Sequence, residues 1–152
     1  MRIVINDWLI EDALGNNGEH RQGRSLLVFE KLTLREDVLV VLENSSWTRK
    51  AYLMWTKKDL GARRVSKMFM GSVWEDSSNC QRIPKLESFE LPESLLHVDE
   101  DDHYLIEAYL NGNADLLVTT DDQLIEFCKQ SKDPIVVAIH RDDFLRSWNI
   151  AP

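Results

Sequence analysis

Cysteine, proline and long apolar runs are scarce in this chain, and each scarcity excludes something. Only Cys80 and Cys128 occur among 152 residues. They form neither a CxxC motif nor a zinc spacing, which excludes a disulfide-stapled or zinc-ribbon domain. They read as a reduced thiol pair, and a cytoplasmic protein is expected. No run approaches the ~18 apolar residues that span a bilayer, so no membrane partner is expected. Met1-Arg2-Ile3-Val4-Ile5 meets Asn6-Asp7 too soon for a signal peptide. Six glycines and four prolines provide no Gly-rich phosphate loop and no low-complexity linker. The histidines lack ligand spacing: His20 reads as part of a Gly-rich loop, His97 as irregular chain, His103 as surface, and His140 follows the last strand. Ser45-Ser46 and Ser77-Ser78 have no evident base partner for nucleophilic chemistry. Positive charge is in deficit. The net charge of −8 excludes a wholly basic, DNA-wrapping surface and leaves local patches open.

What is present is a hydrophobic fraction of 43%, enough for one globular domain over residues 1–152. Short β-branched runs alternate with amphipathic stretches. Ile3–Ile5, Val38–Leu42, Leu116–Thr119 and Ile135–Ile139 read as buried strands. Helices are expected over 8–14, 24–35, 47–60, 65–73, from about 102 to 110, over 124–129, and after Asp142 or Asp143. Ser45 or Ser46 caps the third of these, and Gly61 is its expected stop. Residues 75–96 are the least regular part. The alternation predicts an α/β three-layer sandwich with a mostly parallel central sheet.

Acids fall where such a sheet places ligands, beyond the carboxyl ends of its strands. Asn6-Asp7 follows the first of these strands, Glu43 the second and Asp121-Asp122 the third, while Asp102 opens a helix. Carboxylates brought together repel unless a cation neutralises them. Mg2+ and Mn2+ take such oxygen ligands. An ion held there polarises a phosphoryl oxygen and acidifies water, a route from scattered acids to phosphodiester cleavage.

The ordered set Asp102, Gly112-Asn113-Ala114-Asp115, Leu116-Leu117-Val118, Thr119-Thr120-Asp121 resembles the PIN domain of metal-dependent ribonucleases. Ile3-Val4-Ile5-Asn6-Asp7 is similar to that family's opening strand and first acid. Ile135-Val136-Val137 and Asp143-Phe144-Leu145 look like its last strand and closing helix. The resemblance covers both ends of the chain well and the middle loosely. It implies an endoribonuclease that cleaves single-stranded RNA with Mg2+ or Mn2+ held by Asp7, Asp102 and Asp121. Glu43 is a further candidate ligand, and Asn6, Thr119 and Asp122 have supporting roles. It also implies a homodimer or an antitoxin-like protein partner. Two positions depart from the pattern: Asn6 stands where the first acid is usual, and Trp47-Thr48-Arg49-Lys50-Ala51 lacks the middle acid. The alternative is therefore a catalytically weakened PIN-like module that binds RNA or a protein without cutting. A receiver-like phosphoacceptor fits Asn6-Asp7 poorly.

From Trp47 to Lys85 the charge reverses, and aromatics interleave the cations. Arg49, Lys50, Arg63, Arg64 and Lys67 are the expected RNA contacts, since cations bind phosphates and aromatic rings stack bases. Trp47, Ala51, Met54 and Trp55 share one helical face by spacing, which predicts that both tryptophans are core or interface.

Overall fold

Ile3, Val4 and Ile5 are all buried, as a strand covered on both faces requires. In a computed structural model describing residues 1–130 and 134–152, this run is β1 (Arg2–Ile5), the middle strand of five. The others are β2 (Val38–Leu42), β3 (Cys80–Ile83), β4 (Leu116–Thr119) and β5 (Ala138–His140), in the order β3-β2-β1-β4-β5. Every pairing is parallel, with Ile3 opposite both Leu39 and Leu116. The helices are α1 (Trp8–Ala13), α2 (Glu19–Leu34), α3 (Ser46–Leu53), α4 (Leu60–Phe69), α5 (His103–Asn111), α6 (Asp122–Lys129) and α7 (Arg141–Ser147).

Alternate strand residues serve opposite faces. Ile3, Ile5, Leu39 and Val41 join Leu9, Phe29, Trp47, Phe69 and Phe144 in one core. Val4, Val40, Leu42 and Leu117 join Leu105, Ile106, Leu124 and Ile125 in the other. The sheet thus lies between α1–α4 with α7 on one side and α5–α6 on the other, a three-layer α/β sandwich. Cys80 and Cys128 are free thiols in opposite cores, and burial pushes the Cys80 thiol up to about 12. Among the described residues no helix is long and apolar enough to cross a membrane.

Several boundaries differ from expectation. β3 lies inside the stretch read as irregular. It is short and at the sheet edge, with Cys80 and Ile83 buried and Arg82 exposed, so it lacks a long apolar run. The last strand is displaced to Ala138–His140, and Ile135 and Val137 stay exposed. His20 belongs to α2, not a loop. His140 ends β5, and its side chain, rather than Asp142 or Asp143, caps α7. The expected helix over 47–60 breaks at Leu53 into a tighter turn, Met54–Thr56. Gly61 is no stop: α4 begins at Leu60, capped by Asp59, whose carboxylate accepts from the Ala62 amide at 2.8 Å. Trp55 is 58% exposed while Trp47 is 1% exposed, because the tighter turn shifts the helical phase after Met54.

Gly112 closes α5 against the sheet. A Cβ there would overlap the Val40 side chain and the Ala108 carbonyl oxygen. Gly112→Ala is expected to destabilise the fold by about 1–3 kcal/mol through overpacking, read as a lower urea midpoint.

Candidate metal centre

The strand order reverses direction at β1. The chain runs outward from β1 to β2 and β3, then returns to place β4 on its other side. Such a switch opens a crevice at the carboxyl ends of the two strands. Asn6 and Asp7 enter it from β1, and Thr119 and Asp121 from β4.

Asn6 is a buried tie across this crevice. Its Oδ1 accepts from the Asp7 amide at 2.6 Å and from the Tyr104 hydroxyl at 3.0 Å. Those donors fix the amide orientation and aim Nδ2 at Thr119 Oγ1, 3.1 Å away. Thr119 is fully buried, and its Oγ1 also accepts from the Asp121 amide at 3.1 Å. An aspartate in place of Asn6 could not donate to Thr119. The amide thus fixes Thr119 Oγ1 as the acceptor of this bond, which an aspartate would reverse by accepting the hydroxyl proton.

Asp121 is the N-cap of α6. Its Oδ1 accepts from the Gln123 and Leu124 amides at 2.8 and 3.0 Å. The cap engages one oxygen and leaves the other unconstrained by it. Asp102 stands at the start of α5 across the crevice. Its carboxyl is pushed up to about 6, first by burial and then by the charges of Asp121, Asp99, Asp7 and Asp101. Burial, with Asp7 and Asp102 nearby, also pushes the Tyr104 phenol far up.

Asp7 faces a cation belonging to the chain itself. Lys50 Nζ lies 2.5 Å from Asp7 and 2.8 Å from Glu11. Burial opposes the charge on Lys50, but the hydrogen bonds to Asp7 and Glu11 outweigh it and raise its pKa. Hydrogen bonds from Lys50 and then Asn16 hold Glu11 below the usual carboxylate range. Lys50, expected as an RNA contact, is thus turned inward to the acids. It lies on α3, in the stretch where the middle acid was missing.

The other expected residues are dispersed. Glu43 is exposed beyond β2 and lines a separate cleft with Arg49, Tyr52, Trp74 and Arg82; it is not among the charges acting on Asp102. Asp122 is the exposed first residue of α6. Arg63 and Lys67 line one cleft, whereas Arg64 turns toward another beside Asp59. Sequence reasoning missed Glu11 and Tyr104. Glu11 is one helical turn after Asp7, a spacing that places both on one face of a helix.

Among the described residues no three acid, histidine or cysteine side chains already converge as a ligand cluster. The donors that do meet electrostatically, Asp102, Asp121 and Asp7, are hard oxygens with unbalanced negative charge. Their chemistry fits Mg2+ or Mn2+. Compared with family models, curated proteins and solved structures, the chain finds no match.

Proposed function

We propose that this protein is a Mg2+- or Mn2+-dependent endoribonuclease acting on single-stranded RNA, with a PIN-like site. The placing of Asp7, Asp102 and Asp121 around one sheet switch point carries this reading; burial, and then the charges of its acidic neighbours, push the Asp102 carboxyl up in support of it. Asp102 and Asp121 would hold the ion, joined by Asp7 when Lys50 releases it. Bound there, the ion supplies Lewis acidity to a scissile phosphate. Asn6, Thr119 and Tyr104 position the acids by locking the ends of β1 and β4 together. Incubation of labelled single-stranded RNA with Mn2+ is expected to give internal cleavage that a chelator stops. Intact RNA in Mn2+, or unchanged cleavage in chelator, overturns the assignment.

Lys50 favours a second reading, a module that binds without cutting. Its ammonium already serves Asp7 and Glu11 as counter-ion. Lys50→Ala separates the two readings by calorimetry. For the nuclease, Mn2+ binds the native chain and binds the variant about fivefold more tightly, the ~1 kcal/mol of a partly exposed ion pair. For the module, the native chain takes up no Mn2+ at millimolar concentration.

A further inference from the structure

The junction between α3 and α4 builds a cleft that the metal centre does not use. After the tight turn Met54–Thr56, the chain is extended at Lys57 and enters α4 at Leu60. The cleft, about 500 Å³, is lined by Lys57 and Lys58 on one wall and by Arg63 and Lys67 on α4. Arg63 and Lys67 are four apart and share a helical face. Glu75 is the single acid of the lining. Among the described residues none of these four cations is ion-paired. In a chain of net charge −8, four unpaired cations in one concavity contribute repulsion rather than stability. Trp55, also in the lining, is 58% exposed. A flat aromatic face beside a row of cations matches a base and its phosphates. An acidic peptide would use the cations and leave the indole unused.

The cleft also lies near the acids. Lys57 is close enough to Glu11 to help hold its carboxyl down, and Glu11 shares Lys50 with Asp7. Lys57 thus links the cleft electrostatically to the acids grouped around Lys50.

We infer that this cleft is the track for single-stranded RNA, with Lys57, Lys58, Arg63 and Lys67 on its phosphates and one unpaired base stacked on Trp55. The inference deepens the nuclease reading by naming the face that holds the substrate. It is tested in chelator, where strand binding is read without cleavage, so failure here and failure of the metal site are separate results.

The structure supplies the probe. Trp8, Trp47, Trp74 and Trp148 are buried at 6, 1, 5 and 3% exposure, so quenching by a stacked base reports mainly Trp55. Titration of the full chain with oligouridylate is expected to quench tryptophan fluorescence, and Trp55→Ala to remove the quench and weaken binding about fivefold or more. Four phosphate contacts imply that affinity falls about 50-fold between about 50 and about 200 mM salt. Lys57→Glu combined with Arg63→Glu should cost more than tenfold, while Arg64→Glu, in the neighbouring cleft, should cost less than twofold. Circular dichroism verifies that each variant is folded. The inference is overturned if Trp55→Ala leaves the quench intact, if Arg64→Glu costs as much as the double variant, or if polyglutamate binds as tightly as oligouridylate.

Discussion

Asp102→Asn is expected to reduce Mn2+-dependent RNA cleavage by at least about 100-fold and, at the same time, to stabilise the folded protein. In the proposed site the loss exceeds the roughly 10–100-fold typical of changing a group that only supports a metal ligand, because Asp102 would itself touch the ion and its charge is removed. The gain follows from the same crowding of charge. The Asp102 carboxyl titrates at about 6 in the fold, against an ordinary 3.8, through burial and then the charges of Asp121, Asp99, Asp7 and Asp101. Between those values the native chain holds a proton that the unfolded chain has released, so this group's contribution is fully present below about pH 4 and lost as pH rises through about 6. The shift corresponds to roughly 3 kcal/mol, and solvent screening of a half-buried group reduces it to about 1–2 kcal/mol. The isosteric amide escapes that penalty. Urea unfolding in chelator should give a higher midpoint for Asp102→Asn than for the native chain at pH 7, and a similar midpoint at pH 4. Mn2+ should raise the melting temperature of the native chain and leave that of the variant nearly unchanged. A variant less stable at pH 7 would mean that the Asp102 charge is already satisfied.

Trp47→Ala is expected to cost about 3–5 kcal/mol, the range for emptying a buried aromatic site, while Trp55→Ala stays within about 0.5 kcal/mol. Trp47 is 1% exposed. Its ring stacks near Trp74 at 6.3 Å between centroids and meets Phe69 edge-on at 6.1 Å. Its removal takes contacts from α3, α4 and the turn after α4 together. Trp47 Nε1 is buried without a hydrogen-bond partner among the described residues. Trp47→Phe therefore removes no hydrogen bond, and its cost should be smaller than that of Trp47→Ala, since only part of the indole's volume is emptied. Equilibrium urea unfolding of the three variants checks all of this. Equal losses at positions 47 and 55 would contradict the broken helix.

That contrast shows where the sequence was readable. Trp47, Ala51 and Met54 follow a helical period and are buried as that period requires. Trp55 continues the period on paper, but one tighter turn ends it. The half of the site from Asp102 to Asp121 was legible because its signals are local: an acid at a helix start, an apolar run, then an acid that caps the next helix. Lys50 was not, because its partners are set by how α3 packs on α1. Glu11 is 39 positions away, and nothing nearby in sequence distinguishes Lys50 from Arg49, which remains exposed beside Glu43. β3 escaped for a different reason: an edge strand with one polar face needs few apolar residues.

The tie between Asn6 and Thr119 joins residues 113 positions apart in the chain. A parallel pair cannot form before its crossover exists, so β1 waits for β4 during synthesis. Until then Asp7 has only Lys50 and Glu11 for company, and Asp102 and Asp121 are still to come. The acids that repel one another in the finished fold thus come from opposite sides of a crossover, and their repulsion arises only once β4 has docked beside β1.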